Sequence, residues 1–556
     1  MKPTKRELGI AAILFVMLAA ANIYTLLFCH TLFDSPLDRV WYILVMAIGY
    51  ITGLLVLRLR TFFIIAGVVQ MLILPIEISS LYLNHQPVSM PYMYWIISTN
   101  STEAGELLSS VGWWIVAVIL IWSLYAWLIS RINPQWSIRT TARRIGIGLF
   151  ITTLTAMGII HAIDLNKTYT APNKRAYANI YTWSLGMSMG KVFPYDIYLQ
   201  TFRAFKHKAE IEGFASLSDY RFGITPRTDS DSTLYILVIG EAARYDNFSL
   251  NGEYKRKTNP LLARLSNLVL YTHAYAEANA TDLSVPLMIT RATANDPMQA
   301  YREKTVLGAF QEAGYHTAWL STESSPIQYL HYIFPSIDTV WMASDDALDE
   351  VLFTPCKNLM NNKQGLCASN SLIVLHTKGS HLNYQDRYPE NFAVFQPCLQ
   401  RGESNGNFDR QLMINTYDNT ILYTDYILHS LIQILDSTGR SACLIYMPDH
   451  GENLCDDERK LWVHGSYEGS QWEYHVPLMV WYSDAFLQRY PNKISALKAN
   501  RDKRITSQVL FHTLCDMADL REVVDARYSL LSDSLEAQDS IFVLNGKGEI
   551  IQGQYR

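Results

Sequence analysis

Three side chains of metal-ligand type stand where two apolar runs end. LYILVIG runs directly into Glu241, and ACLIYMP runs directly into Asp449 and His450, with Gly451 and Glu452 following. If both runs are strands of one sheet, their ends share a rim and the ligands can converge. Carboxylate and imidazole groups suit zinc, and a catalytic zinc site keeps about three protein ligands plus one exchangeable position. An Asp after a strand is also a common turn former, so the DHG run alone carries little; its pairing with Glu241 gives it weight. A third piece is ANATDLSVPLMIT, where Thr281 precedes an apolar helical run. A hydroxyl there can be a helix N-cap. It can also be a phosphate-receiving nucleophile, because free N–H groups at a helix start favour negative charge and a bound metal activates a hydroxyl. His381 in LHTKGSHLNY and His464 in LWVHGSYEG occupy Gly-flanked loops. They fit donor-phosphate binding or leaving-group protonation, although a histidine of this kind taken singly is more often structural or exposed than a ligand. His475 reads as structural, and His376 is left outside the site.

Such a rim needs a sheet. LYILVIG, HTAWLS, SLIVLH, ACLIYM and VPLMVWY are continuously apolar and alternate with helical patterns, including one around 260–265 and one over 416–435. Strands apolar on both faces argue for a mostly parallel central sheet covered on both sides, an α/β soluble domain over 232–556.

The first 165 residues have another character. Apolar runs at about 8–28, 40–57, 61–83, 113–130 and 145–163 are each close to the roughly 20 residues that cross a hydrocarbon core as a helix. Lys2, Lys5, Arg6, Arg58, Arg60, Arg131, Arg139, Arg143 and Arg144 fall in alternate loops, which places the N-terminus inside and everything beyond about 164 outside. The reading is a transmembrane domain of five helices over 1–165, with an outward loop over 84–112 that turns helical near its end. An interfacial linker rich in Tyr, Phe and Trp follows over 166–231. Glu77 lies near the outward end of the third run, just after Pro75. It is expected to snorkel to the interface or, more sharply, to meet a cationic headgroup. Of the seven cysteines, Cys356 and Cys367 bracket a polar loop suited to a disulfide in an oxidising compartment, and Cys443 reads as a buried thiol. The net charge of −5 gives no reason to expect nucleic acid as a partner.

GEAARYDNFSLNGEYKRKTNPLL, NATDLSVPLMIT, LHTKGSHLNYQDRYP, YMPDHGENL, VHGSYEG and HVPLMVWY together resemble the phosphoethanolamine transferases, which include the lipid A enzymes and the mobile colistin-resistance enzymes. The resemblance implies a soluble domain of alkaline phosphatase/sulfatase-like fold in the periplasm, held by a multi-pass anchor in the bacterial inner membrane. It implies zinc, one ion with a second left open, held by Glu241, Thr281, Asp449 and His450. Thr281 would be the nucleophile. His381 and His464 would stand near the transferred group or a second zinc. Thr99 and Glu103 would contact the donor headgroup. The donor would be phosphatidylethanolamine, the acceptor lipid A or another envelope glycan, and the enzyme a monomer. The chain departs from the family in having YMYWII before Thr99, no Lys counterpart in WLSTESSPIQ (Ser324 or Ser325 could stand in), and LNY after GSH. A glycerol-phosphate transferase of the lipoteichoic acid synthase type is the nearest rival. A sulfatase is disfavoured, since Ser284-Val285-Pro286 is followed by Leu287 and Met288 without the Arg of a C/S-x-P-x-R motif.

Overall fold

The computed structural model describes residues 4–29, 36–84, 87–98, 101–134, 191–213, 220–226, 233–323, 333–344, 346–361, 370–401 and 409–553, with isolated positions between 144 and 151. The chain divides into two compact units, 1–97 with 111–209 and 98–110 with 210–556.

The first unit is helical: it holds α1 (Lys5–Phe28), α2 (Pro36–Val56), α3 (Leu59–Asn84), most of α4 (Met90–Ser98), α5 (Ser101–Ser130) from residue 111 and α6 (Tyr195–Gly213) up to residue 209. Thr4 and Glu7 form a capping box that starts α1, the reciprocal arrangement that satisfies free N–H groups at a helix start. Among the described residues, Lys5–Phe28 and Leu59–Leu81 are long and apolar enough to cross a membrane, and Tyr42–Ile51 and Val116–Ser130 are shorter apolar helices. The expected run at 145–163 lies mostly outside the described residues. Leu14, Phe62, Phe63, Trp122 and Tyr125 form a shared core of α1, α3 and α5, while Val16, Leu72 and Leu120 are exposed. Exposed apolar faces of this kind suit lipid better than water. The segment 84–112 is more helical than a loop, since α4 and the start of α5 occupy most of it. α6 buries Ile197 and Ala204 and exposes Tyr198, Phe202 and Phe205, an amphipathic pattern consistent with the aromatic composition. Glu77 does not snorkel: it is buried within the unit.

The second unit is built on a seven-stranded sheet. Its strands are β1 (Thr233–Gly240), β2 (Leu268–Tyr271), β3 (His316–Ser321), β4 (Thr339–Met342), β5 (Ser371–His376), β6 (Ser441–Pro448) and β7 (Leu478–Tyr482). The spatial order is β2-β7-β6-β1-β5-β3-β4. β6, β1, β5, β3 and β4 run parallel, and β7 pairs antiparallel with both β6 and β2. The sheet is therefore mixed, with its parallel part where the site lies. Period-2 alternation sends Tyr235, Leu237, Ile239, Cys443 and Ile445 into one core and Leu234, Ile236, Val238, Leu444 and Tyr446 into the other. Two-sided burial explains why these strands read as unbroken apolar runs. Helices Thr281–Ile289 (α7) and Arg410–Asp436 (α8) flank the sheet. The helix expected around 260–265 is a single 3₁₀ turn, Leu262–Arg264. Pro260 supplies no N–H, and Asp425 takes the N–H groups of Leu261 and Leu262 at 2.9 and 3.0 Å, ending the segment against α8. Cys443 is buried in β6 as expected. Cys356 is buried in the helix Phe353–Asn361, and Cys367 lies outside the described residues.

Parallel pairing sets Gly240 beside Pro448, so Glu241 and Asp449 leave the sheet side by side. The chain after β5 folds against them. Thr377 N donates to Ile239 O at 3.0 Å and Ser380 N to Glu241 O at 2.9 Å. Gly379 makes this approach at φ +46°, where a Cβ would stand 2.8 Å from Glu241 O. Gly379→Ala adds strain and a clash to a buried turn, and is expected to cost about 1–3 kcal/mol. Thermal denaturation checks it; an unchanged midpoint would show that the turn yields freely.

Candidate metal centre

The rim gathers Glu241, Asp449 and His450 as the spacing predicts, and adds Thr281 and His464. Thr281 is the first residue of α7, whose N-cap is Ala280. Its hydroxyl therefore does not cap the helix. Thr281 Oγ1 donates to Glu241 Oε2 at 3.1 Å and lies 3.2 Å from His450 Nε2. His450 Nε2 is 3.4 Å from Glu241 Oε1 and 3.3 Å from Asp449 Oδ2. Ligand atoms of Glu241, His450 and His464 all fall within 4.8 Å of one another. Glu241, Asp449 and His450 are fully buried, whereas Thr281 is partly exposed. The nucleophile candidate and His464 are thus the members of the cluster that are open to solvent.

Tautomers follow from partners. His450 Nδ1 donates to Gly451 O at 2.8 Å, and His464 Nδ1 is hydrogen-bonded to Glu452 Oε2 at 2.8 Å. His450 then presents an unprotonated Nε2, the form in which imidazole binds a metal, and so does His464 when Glu452 is ionised. Burial lowers both histidines, His464 to about 4, and so keeps them neutral. Burial, and then the charge of Asp449, push the Glu241 carboxyl well up. Glu241 Oε1 and Asp449 Oδ2 are buried without a hydrogen-bond partner. Two orphaned carboxylate oxygens converging with unprotonated imidazole nitrogens are the donor set of a divalent cation, and oxygen with nitrogen fits zinc.

Further residues hold this geometry. Asp449 Oδ1 accepts from His450 N at 2.8 Å and Ala242 N at 3.3 Å. Ser284 Oγ donates to Asp449 O at 2.6 Å, tying α7 to the end of β6. Asn279 Nδ2 donates to Ser466 O and to Glu473 Oε1, both at 2.9 Å, and Gly465 N donates to Asn279 O at 2.8 Å. This bridge fastens the His464 loop to the Thr281 loop. Glu452 also accepts from Tyr384 OH at 3.0 Å, and burial raises it to about 8. Glu452 stood in the DHGE run, yet nothing in its spacing announces His464 as its partner. Asn279 opens the NATDLSVPLMIT run without a role read from it, and Glu473 carried no signal. Arg244 of the GEAAR run ties loop to loop by its ion pair with Asp456 at 2.7 Å.

The remaining candidates stand further off or beyond view. The His381 ring centroid is 6.0 Å from that of His464. Burial, then the charge of Arg387, hold His381 well below its ordinary value. His475 is structural: its Nε2 donates to Thr272 O at 2.9 Å, and its ring stacks on Tyr245 and Tyr275. His376 is fully buried at the end of β5. Thr99, Ser324 and Ser325 lie outside the described residues, as does the side chain of Glu103.

A carboxylate that orients a metal-binding histidine typically contributes about 10–100-fold to affinity. Glu452→Ala should weaken zinc binding by about that factor, measured by competition with a chromogenic chelator. Affinity equal to wild type would mean that the His464–Glu452 bond does not serve a metal.

Comparison with known proteins follows this geometry. The sulfatase family matches residues 233–520, the span that carries the sheet and the whole cluster. Phosphoethanolamine transferase EptA of Escherichia coli O157:H7 is 32% identical over 326 residues, 56% of this chain and 56% of its own. The Kdo(2)-lipid A phosphoethanolamine 7''-transferase of Salmonella typhimurium strain LT2 is 30% identical over 276 residues, 48% of this chain and 47% of its own. The chain thus spans about half the length of these curated relatives. The integral membrane protein lipooligosaccharide phosphoethanolamine transferase A of Neisseria meningitidis superposes with a TM-score of 0.66 at 18% identity, over 93% of this chain and 98% of that one. At that identity the likeness is one of fold. The resemblance read from the motifs is borne out, and the chain belongs to the sulfatase family of the alkaline phosphatase superfamily, among relatives that are phosphoethanolamine transferases.

Proposed function

We propose that this protein transfers phosphoethanolamine from phosphatidylethanolamine to an envelope glycolipid, lipid A in the first place, through a phosphorylated Thr281. The observation that carries the reading is the accessible Thr281 hydroxyl held 3.1 Å from Glu241 Oε2 and 3.2 Å from His450 Nε2. A nucleophile within hydrogen-bond reach of a base is the signature of covalent catalysis. The relatives' names supply the transferred group and, for one of them, lipid A.

Glu241, Asp449, His450 and His464, with Thr281, would hold zinc. Bound there, zinc supplies Lewis acidity for the threonine oxygen and the phosphoryl oxygens. In the first half-reaction Thr281 Oγ1 gives its proton to Glu241 and forms a bond to phosphorus. The bond from phosphorus to the diacylglycerol oxygen breaks, and that oxygen takes up a proton. Protonation of the leaving oxygen is assigned to His381 or His464, the two histidines beside the cluster. In the second half-reaction an acceptor oxygen gives its proton to the histidine that protonated diacylglycerol and bonds to phosphorus, the bond from phosphorus to Thr281 Oγ1 breaks, and Oγ1 takes its proton back from Glu241. Thr99 and Glu103 remain the proposed donor-headgroup contacts. The anchor belongs to the proposal: five spans over 1–165, N-terminus inside, a linker over 166–231 and the catalytic domain over 232–556 in the periplasm of a monomeric inner-membrane protein. Holding enzyme, donor and acceptor in one membrane raises their effective concentration.

Mass spectrometry of lipid A from a susceptible host tests this reading. Expression of wild type should add one phosphoethanolamine group, and Thr281→Ala should abolish it. If lipid A stays unmodified, turnover of labelled phosphatidylethanolamine by the purified enzyme decides between another glycan acceptor and no transferase at all. Stripping with a chelator should remove that turnover, and zinc should restore it.

A further inference from the structure

Glu77 and Asp196 meet inside the helical unit. Glu77 lies two residues past Pro75 in α3 and is 1% exposed; Asp196 is the second residue of α6 and is 0% exposed. Each carboxyl has one oxygen in use. Glu77 Oε2 accepts from Val88 N at 3.3 Å, and Asp196 Oδ1 accepts from Ile197 N at 2.7 Å. The other two, Glu77 Oε1 and Asp196 Oδ2, are buried without a donor, and the two side chains are within hydrogen-bonding reach of each other.

Among the described residues, their surroundings offer no counter-charge. From α1, Asn22 Nδ2 donates to Phe193 O at 2.8 Å, and Asn22 Oδ1 accepts from Phe193 N at 2.9 Å and from Tyr42 OH at 2.7 Å. The titratable groups facing the pair are Tyr42 of α2 and Tyr92 of α4, with Cys29 beside Tyr42. Tyr92 OH is occupied as a donor to Ser79 Oγ at 2.8 Å. Among the described residues, no Lys or Arg acts on either carboxyl. Two ionised carboxylates in that setting would repel each other and lose their hydration without compensation.

We propose that Glu77 and Asp196 share one proton, and that this carboxyl–carboxylate hydrogen bond fastens α6 to α3. The proton satisfies both orphaned oxygens with one bond and halves the buried charge. Asn22 grips the backbone of Phe193 just before α6, and the acid pair secures the first turn of α6 itself. The exposed Tyr198, Phe202 and Phe205 of α6 are thereby held at a fixed place on the unit. Both the snorkelling role and the headgroup role of Glu77 give way to this one, because its carboxyl is enclosed and already engaged.

The pair has a pH signature. Burial raises the Asp196 carboxyl to about 7, above the ordinary value of about 3.9. Below about 7 the folded pair therefore holds a second proton that the unfolded chain releases, and the single shared proton is the state left once Asp196 ionises; the stability brought by the second proton falls as pH rises from about 4 to about 7. Glu77→Gln supplies a permanent donor to Asp196 and needs no shared proton.

The experiment uses the full chain in lipid nanodiscs. Infrared spectroscopy of wild type should show a protonated-carboxyl stretch that Glu77→Gln and Asp196→Asn each remove. The thermal midpoint of Glu77→Gln should gain about 2–4 °C on wild type between pH 5 and pH 8. A gap that stays constant with pH, or an infrared band unchanged in both variants, overturns the proposal. So does a midpoint raised by millimolar magnesium or sodium in wild type but not in Glu77→Gln, which would make the occupant a metal cation. If both neutral variants fail to fold while Glu77→Asp folds, two charges are required and the shared proton is excluded. None of these readouts depends on the transferase reaction.

Discussion

The soluble unit is organised around a costly arrangement: two carboxylates and two imidazoles brought together at the rim of a sheet, with the acids fully enclosed. Such a cluster exists only if the surrounding fold imposes it. Parallel pairing of β1 with β6 imposes the first part, by ending both strands at the same level. The turn after β5 closes over Glu241, and the Asn279–Glu473 bridge brings in the His464 loop. Remove the register and the four groups have no reason to meet. A cation would resolve the crowding electrostatically, and the same cation would serve the proposed phosphoryl transfer.

The parts that were legible in the sequence are those in which chemistry and periodicity coincide. Five strands of the sheet could be read from unbroken apolar runs, and Glu241, Asp449 and His450 from the abrupt change at their ends. The two short strands β2 and β4 were not legible: their burial is partial, so they lack the run that marks a central strand. The 3₁₀ turn at Leu262–Arg264 was taken for a helix because its apolar spacing is helical, while the acceptor that ends it, Asp425, lies far along the chain. Of the site, the missing layer was the one that orients. Glu452, Asn279 and Glu473 act through partners brought close by folding, and ordinary polar residues at such positions have no local signature. Glu77 shows the same limit in the helical unit. A lone acid at the end of an apolar helix reads as interfacial until Asp196, more than a hundred residues later, is placed beside it.

The two units bury acid by different means. At the rim, orphaned carboxylate oxygens converge with unprotonated imidazoles, and the arrangement calls for a metal. In the helical unit the orphaned oxygens belong to two neighbouring acids on which, among the described residues, no Lys or Arg acts, and the proposed occupant is a proton. The distinction lies in the partners rather than in the acids.

The central place of β1 also bears on biogenesis. It is the first strand of the sheet to be synthesised, yet its neighbours are residues 371–376 and 441–448. A growing chain carries β1 with both edges unpaired until those segments follow. Thr281 is synthesised before His450 and His464. The rim thus stays incomplete until the end of the sheet is made, and any truncation upstream of β6 leaves an apolar strand open to mispairing with another molecule.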